Sequence, residues 1–361
     1  MSVVVLIRSS YGNCRRAVAQ ILDFFQLPVD GKTVLIKPNA LRASEPEEGV
    51  CTHPAVVRAL VEEIKLRGAR RIYVGDNPGM SAYGSNEEAF RESGLLAAAG
   101  PHYVNLGART RMVDLPPQWG VRVAVSELVL ECDVLISVPK LKTHGLTGLT
   151  CALKNSYGFL PGAQKAELHR RAGNPFAFCE LMVDVFAIRP PDLVLVDGIL
   201  AMEGNGPVAR TLRYLGVLAG ARDAVALDRV MCHIMGIPLE QARSVTAAAE
   251  RGLGEANIQR IQLIGELFTV EDFRLPPAYG PGAEPECLRA PRGADLGSRF
   301  DGILPRVQIE LCDGCAACVK ACPAGALDLR GGHPTVREEA CIRCFCCQET
   351  CRTGALALRG N

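Results

Sequence analysis

The chain has 361 residues, of which 48% are hydrophobic and 22% charged, and its formal net charge is +1. This length allows two domains, or one large body with a small module. A near-neutral chain without a basic block, in which only 5% of residues are aromatic, argues against a nucleic-acid partner. No stretch approaches the roughly 18 apolar residues of a membrane span, so no membrane span is expected.

Short apolar segments alternate with helical patterns over the first 270 residues. Continuous apolar and β-branched runs predict strands over 3–7, 33–36, 71–74, 133–138 and 192–196. Apolar residues at helical spacing predict helices over 13–25, 52–64, 174–188, 223–235 and 239–251. Thr52 and Pro54 are typical of a helix start, with Thr52 as the cap. Asn174 and Asp223 are predicted to cap two of the later helices.

Apolar strands that alternate with helices are typical of a mostly parallel sheet covered on both faces. We therefore predict an α/β, mostly parallel, doubly wound body over residues 1–270. Residues 271–305 are rich in proline and glycine, which predicts a linker. Residues 306–361 are predicted to form a small separate domain.

Four polar motifs directly follow the predicted strands of the body. They are Lys37-Pro-Asn39, Gly75-Asp76, Lys140-x-Lys142-x-His144 and Asp197-Gly198. The carboxyl ends of parallel strands meet at one edge of a sheet, which is where α/β proteins bind ligands. The pattern therefore predicts a ligand site at this edge, with Lys37, Asn39, Asp76 and Asp197 among its binding residues.

Lys140, Lys142 and His144 are spaced two residues apart. In an extended segment all three side chains point to the same side. Two ammonium groups and an imidazole on one side suit a carboxylate or a phosphate, so we take these three as the candidate catalytic residues. The alternative is three solvated residues on a loop.

Further candidates lie later in the chain. Lys154 and Asn155 follow a glycine-bounded turn that is expected to return them to the same edge, although Lys154 also fits a plain surface residue. Glu203 is a weaker candidate for the binding set. Asp228 is a weaker candidate as well and is predicted to face solvent, and His169 is interpreted as a packed or surface histidine. Lysines and carboxylates that meet at this edge could also hold a metal together with an anion.

Nine of the 16 cysteines lie between residues 312 and 351, in two runs with C-x2-C-x2-C-x3-C spacing. In such runs the fourth cysteine binds the other cluster. We assign Cys312, Cys315, Cys318 and Cys351 to one [4Fe–4S] cluster. We assign Cys322, Cys341, Cys344 and Cys347 to the second. A pair of zinc knuckles or a disulfide knot is the alternative, but zinc sites usually use two separated ligand pairs.

The cysteine-rich segment contains an internal repeat. The segment 322–330, Cys-Pro-Ala-Gly-Ala-Leu-Asp-Leu-Arg, matches 351–359, Cys-Arg-Thr-Gly-Ala-Leu-Ala-Leu-Arg. The alignment makes Cys347 the ligand and Cys346 a packed thiol. The remaining cysteines are read mostly as buried thiols: Cys14, Cys51, Cys132, Cys151, Cys179, Cys232 and Cys287. Free thiols and thiolate-bound clusters indicate a reducing compartment, and we expect a cytoplasmic protein.

These motifs carry two resemblances. The cysteine segment resembles the bacterial two-cluster ferredoxins, an α+β fold, although Arg352 stands where that family usually has proline. The body is similar to the family of domains of unknown function 362, which are iron–sulfur-associated proteins. The matching motifs are Lys37-Pro-Asn39, Gly75-Asp-Asn-Pro-Gly79, Val138-Pro-Lys-Leu-Lys-Thr-His144, Leu153-Lys-Asn155, and Asp197-Gly198 with Gly204-Asn-Gly-Pro207.

The resemblance also suggests a distant likeness to nickel-dependent lactate racemase-type proteins. That likeness implies an additional metal or a phosphate-bearing cofactor, held by Lys140, Lys142 and His144.

Three functions fit the sequence. The first is an oxidoreductase that passes electrons through two clusters to a small anionic substrate or a cofactor. The second is a non-enzymatic electron carrier or maturation factor that docks on a partner. The third is an isomerase-like enzyme with a bound metal cofactor. The first two require an electron donor or acceptor protein as partner, and the sequence leaves the oligomeric state open.

Overall fold

A computed structural model describes residues 1–79, 85–209, 211–279 and 304–359. The strands of the body are β1 (Ser2–Arg8), β2 (Thr33–Pro38), β3 (Arg71–Val74), β4 (Thr110–Asp114), β5 (Arg122–Ser126), β6 (Val134–Val138), β7 (Lys140–His144), β8 (Gly148–Thr150), β9 (Leu193–Met202), β10 (Leu212–Ala221) and β11 (Ile261–Ile264). All of these except the β4–β5 hairpin belong to one nine-stranded sheet.

The strand order of this sheet is β11-β1-β10-β9-β6-β2-β3, with β7 paired to β9 and β8 paired to β7. β2 pairs in parallel with both β3 and β6, and β6 and β7 pair in parallel with β9. β10 runs antiparallel to both β1 and β9. The predicted mostly parallel sheet is confirmed. β9 continues well past its predicted end because its second half pairs with β10, so Asp197 lies inside a strand and not after one.

Helices cover both faces of the sheet, as predicted. They are α1 (Cys14–Phe25), α2 (Pro54–Leu66), α3 (Ser85–Glu92), α4 (Leu95–Ala99), α5 (Glu127–Glu131), α6 (Ala152–Asn155), α7 (Gly162–Ala172), α8 (Pro175–Ile188), α9 (Ala224–Ile234) and α10 (Arg243–Glu250). Side chains alternate along each strand. Ile36 of β2 therefore packs against α1 and α2, whereas its neighbour Leu35 packs against α8.

The start of α2 differs from the prediction. His53 is the cap, and its Nδ1 accepts a hydrogen bond from the Ala55 N–H. Thr52 instead donates to the Val138 carbonyl at 2.6 Å and accepts from the Asn39 N–H at 2.8 Å. The hydroxyl thus ties the ends of β2 and β6 together and fixes the backbone of Asn39. Asn174 and Asp223 cap α8 and α9 as expected.

The C-terminal module has two similar halves. Its elements are β12 (Leu304–Val307), α11 (Ala317–Lys320), β13 (Leu327–Arg330), β14 (His333–Val336), α12 (Cys346–Thr350) and β15 (Leu356–Arg359). Ala316 and Phe345 occupy equivalent repeat positions, and both have a left-handed backbone with φ of 57°. The predicted small ferredoxin-like domain is confirmed. Most of the predicted linker, including Cys287, lies outside the described residues.

Candidate functional site

A small polar cavity of about 40 Å³ lies beyond the carboxyl ends of β2 and β3. This is the edge where the chain turns to β3 on one side of β2 and to β6 on the other, the usual ligand position in such sheets. The polar side chains of its lining are Asn39, Asp76, Asn77, Lys154, Asn155, Tyr157, Lys165, His169 and Glu349.

A buried ion pair forms one wall of the cavity. Lys37 Nζ lies 2.6 Å from Asp76 Oδ1, and both side chains are almost fully buried. The ammonium also donates to Asn155 Oδ1 at 3.2 Å, and Asp76 accepts from the backbone N–H groups of Ala40 and Asn77. Burial lowers the pKa of Lys37, and Asp76 opposes that shift. Because the Asp76 carboxylate accepts from several donors, the ion pair is held in a fixed position beside the site.

The backbone passes close to this ion pair at Gly158. A Cβ added there would lie 2.2 Å from Asp76 Oδ1 and 2.6 Å from Lys37 Nζ. Only glycine allows the chain to approach so closely. The Gly158 carbonyl accepts from Asn77 Nδ2 at 3.0 Å. This hydrogen bond fixes the Asn77 side chain, which also lines the cavity.

Helix α7 supplies two buried basic side chains, Lys165 and His169. Lys165 Nζ donates to the carbonyls of Asn77, at 2.5 Å, and Pro78, at 3.0 Å. Burial lowers the pKa of this lysine to about 7. The His169 ring stacks on Phe178 with 4.0 Å between centroids, and its Nδ1 has no hydrogen-bond partner. Burial lowers the pKa of His169 to about 3, so the imidazole is neutral.

The C-terminal module closes the cavity with Glu349 from α12. Glu349 Oε1 lies 2.9 Å from His144 Nε2. His144 Nδ1 accepts from the N–H groups of Leu146 and Thr147, so the ring proton is on Nε2. Gln348 Nε2 donates to the Asn205 carbonyl at 2.6 Å. Through these contacts the second half of the module is fixed to the body.

Phe345 adds an apolar contact to this docking. Its side chain is 2% exposed and belongs to the body core that contains Tyr157, Phe159 and Leu160. The equivalent positions of the first half carry Ala316, Val319 and Lys320 where the second half has Phe345, Gln348 and Glu349. The docking residues are thus specific to one half of the duplication.

The three candidate catalytic residues have separate surroundings. Lys140 Nζ pairs with Asp197 at 2.9 Å and donates to the Tyr11 hydroxyl at 2.8 Å. Lys142 Nζ donates to the Val50 carbonyl at 2.6 Å, and burial lowers its pKa to about 7. None of the three is in the cavity lining, and His144 reaches it only through Glu349. They do not form one anion pocket, because each faces a different neighbour.

Three predicted acidic positions serve other contacts. Asp197 accepts from the His53 N–H at 2.9 Å besides pairing with Lys140. Glu203 lies 3.1 Å from Arg213 and 3.6 Å from Arg274, away from the cavity. Asp228 is buried, contrary to the solvent-facing position predicted for it. It accepts from the N–H groups of Ala152 and Leu153 at the start of α6, and burial raises its pKa to about 6.

The cavity thus gathers part of the predicted set and adds to it. Asn39, Asp76, Lys154 and Asn155 line it, and Lys37 lies directly behind Asp76. The sequence did not indicate Lys165 or Glu349. His169, interpreted as a packed or surface histidine, is packed against Phe178 and also lines the cavity. The i, i+4 spacing of Lys165 and His169 was a usable signal, since it places both on one face of a helix.

The module contains two further cavities, each lined by four cysteines. One is lined by Cys312, Cys315, Cys318 and Cys351. The other is lined by Cys322, Cys341, Cys344 and Cys347. These are the two sets assigned from the sequence, with the fourth cysteines exchanged. Cys346 is buried outside both cavities, and the eight cysteines that line them are free thiols.

The arrangement of these thiols suits clusters. Over the described ranges, no three His, Cys, Asp or Glu side chains converge on a point as a single metal ion requires. The thiols instead surround a space, which is what a cubane bound through its corners needs. Each set of four cysteines would therefore hold one [4Fe–4S] cluster.

The fold and these cavities define an α/β body joined to a two-cluster iron–sulfur module. The model of the family described as "Domain of unknown function (DUF362)" matches residues 34–233, and that of the 4Fe-4S dicluster domain matches residues 304–352. The chain belongs to the DUF362 family and is an iron–sulfur protein. A thylakoid-associated protein of Synechocystis is 35% identical over 260 residues, which is 70% of this chain and 78% of that protein.

Two solved structures are similar to part of this chain at low TM-scores. The lactate racemase apoprotein of Thermoanaerobacterium thermosaccharolyticum has a TM-score of 0.42 and 15% identity over 63% of this chain. A Thermotoga maritima protein has a TM-score of 0.41 and 12% identity over 67% of this chain. The matches span 56% and 58% of those two proteins. Among the described residues, no helix is long and apolar enough to cross a membrane.

Proposed function

We propose that this protein is an iron–sulfur oxidoreductase that acts on a small anionic ligand in the polar cavity of its body. The observation that carries the proposal is the position of Glu349. This residue lies between the cluster cysteines Cys347 and Cys351 in sequence, and it lines the body's cavity. The chain thereby brings its electron-transfer module and its ligand site into direct contact.

The clusters, when bound, supply electrons one at a time, and an electron-donor protein would re-reduce them. The chain's own residues do the rest. Lys154 and Lys165 attract the anion, and Asn39 offers its amide group to orient it. Tyr157 and the docked module cover the site and limit the entry of water. Bound clusters and free thiols both require a reducing compartment, which supports a cytoplasmic location.

A bare electron carrier would not need this cavity. The buried Lys37–Asp76 pair and the covered basic residues are costly to bury, and a docking surface alone does not require them. The cavity therefore favours an enzyme over a carrier, and the two functions make different predictions for the reduced protein.

The test uses the anaerobically purified holoprotein with its clusters reduced by dithionite. Small anions are added singly, and reoxidation is followed by the visible absorbance of the clusters. We expect at least one small anion to reoxidise the protein. We expect Lys154→Gln to slow that reaction at least ten-fold, and Lys32→Gln, at an exposed position far from the cavity, to leave it unchanged. Reoxidation only by partner proteins, with no response to any small molecule, would show a carrier.

A further inference from the structure

We propose that the first half of the C-terminal module is the docking surface for a small electron-carrier protein, and that Ile309, Leu311 and Cys315 form its centre. This inference rests on the proposed function and deepens it, because it names the surface at which the donor protein reaches the clusters. In each encounter the carrier gives up one electron and leaves in its oxidised form.

Exposed apolar side chains precede the first cysteine run. Ile309 is 58% exposed and Leu311 is 44% exposed. They belong to a short 3₁₀ helix, Ile309–Leu311, which is followed directly by Cys312. Cys315 is exposed to solvent and lines the first cysteine cavity together with Cys312. The apolar side chains therefore lie beside the part of the first cluster site that reaches solvent.

The second half of the module provides an internal comparison. Its equivalent 3₁₀ helix is Glu338–Ala340, so a charged residue and an alanine stand where the first half has Ile309 and Leu311. The large apolar side chain of the second half is Phe345, which packs into the body core. Each half thus has apolar side chains that the other lacks. Those of the second half form an interface with the body, which indicates that those of the first half serve an interface with a different partner.

The position of the docked helix makes the first cluster the better entry point for a protein donor. Helix α12, which contacts the body, contains Cys347 of the second cluster site. Cys344, the counterpart of Cys315, is half-buried. Electron transfer between two proteins requires their cofactors to approach closely. A protein donor can approach the exposed Cys315 more closely than Cys344.

The size and charge of the surface define the kind of partner. Redox proteins that meet transiently use small interfaces, which suits two apolar side chains beside one cysteine. The charged residues of the segment 309–315 are Glu310 and Asp313. Asp313 pairs with Arg352 at 2.6 Å, so neither member of that pair needs an opposite charge on the partner. The surface therefore fits a carrier whose own cofactor is bordered by apolar side chains.

The experiment measures how the oxidised holoprotein binds two small carriers, a bacterial ferredoxin and a flavodoxin, by biolayer interferometry. The test variant combines Ile309→Glu with Leu311→Ala, which introduces the residue types found at the same positions of the second half. We expect at least one carrier to bind the unmodified protein, and to bind the variant at least ten-fold more weakly.

Leu66→Glu is the matched control and should leave the binding of the carrier unchanged. Leu66 is an apolar residue that is 70% exposed, at the end of α2. Because α2 ends just before β3 begins, Leu66 lies at the edge of the sheet opposite to the docked module.

A second measurement separates docking from the state of the clusters. Reduction of the clusters by the reduced carrier should be at least ten-fold slower in the double variant. Reduction by dithionite, a small reagent that needs no docking surface, should be unchanged. Equal iron content of the variant and the unmodified protein shows that the clusters are intact.

Several results would overturn the inference. Equal binding of the carrier to the double variant and the unmodified protein would refute the surface, as would an equal loss in Leu66→Glu. Failure of both carriers to bind would refute the partner class. A dimer in sedimentation velocity that the double variant abolishes would show that a second copy of the chain covers the surface. A lower urea midpoint of the double variant would show that Ile309 and Leu311 pack within their own chain.

These failures differ from a failure of the proposed function. Small anions would still reoxidise the dithionite-reduced protein if the carrier binds elsewhere. If the carrier binds at Ile309 and Leu311 but no small anion reoxidises the clusters, the docking surface is correct and the oxidoreductase is wrong.

Discussion

Glu349 Oε1 lies 2.9 Å from His144 Nε2 and connects the module's α12 to strand β7 of the body. Burial lowers the pKa of His144 to about 4, so the imidazole is neutral. Burial opposes ionisation of Glu349, but Lys154 and His144 outweigh it and hold the pKa of this carboxyl below its ordinary value. The contact is therefore a close approach of a carboxylate to a neutral ring.

Glu349→Ala should loosen the docked module. It removes the buried carboxylate that lies 2.9 Å from the His144 ring, and with it a contact between α12 and β7. Hydrogen exchange measured by mass spectrometry should become faster in α12 and around Leu146. Glu339→Ala, at an exposed position of the same module, is the matched control and should not change exchange. Equal protection of α12 in both variants would show that Glu349 does not hold the module.

Gly158→Ala should destabilise the body. Its new methyl group would overlap the Lys37–Asp76 pair, and overpacking of this kind costs about 1–3 kcal/mol. Urea unfolding followed by the fluorescence of Trp119 measures the effect. Gly12→Ala is the control, because a Cβ there would meet only Ser10 Oγ at 3.9 Å. Equal midpoints for the two variants would contradict the close approach at Gly158.

His169 should make the body less stable in acid. Its folded pKa, about 3, lies below the ordinary 6.5, so between these values the unfolded chain binds a proton that the folded chain does not. The free energy of unfolding should therefore fall as the pH drops below 6.5. His169→Gln should make this fall shallower between pH 6.5 and pH 4.5, when measured by urea unfolding at each pH.

Other titratable groups face the His169 ring, and a control variant is needed to separate their effect from that of the imidazole. The charged or titratable groups that face the ring are Glu349, Lys154, His144 and Lys165. His233→Gln, at the end of α9 and partly exposed, is the control. A slope unchanged by His169→Gln would mean that the imidazole is not held neutral by burial.

Cys346 and Cys347 should differ in their effect on iron content. Two cubane clusters correspond to about eight iron atoms per chain. Cys346→Ala should retain about eight, because Cys346 lies outside both cysteine cavities. Cys347→Ala should lose iron, down to about four atoms, because Cys347 lines the second cavity. The opposite order would exchange the ligand assignment of these neighbours.

The sequence predicted the features that depend on local patterns. The alternation of apolar strands with helices predicted the sheet. The predicted ends of β2 and β3 correctly indicated that Asn39 and Asp76 lie at its edge. This worked because parallel strands bring their carboxyl ends together by geometry. Asp197 was misplaced because the length of β9 depends on its antiparallel partner β10, which no local pattern reveals.

The rest of the site depends on packing between distant segments. Lys140, Lys142 and His144 share one strand, but their partners come from β9, from the Val50 segment and from the module. Lys165 and His169 reach the cavity only because α7 folds over it. For the docking residues the sequence also contained a signal, since the two half-repeats differ at the positions that dock.

In a module built from two equivalent halves, either half could contact the body. Here the second half does so, because it has Phe345, Gln348 and Glu349 where the first half has Ala316, Val319 and Lys320. The second half is turned inward, against the body, whereas Cys315 of the first half is exposed together with Ile309 and Leu311. The duplicated module thus has one end that is docked on the body and another whose cluster-lining cysteine reaches solvent.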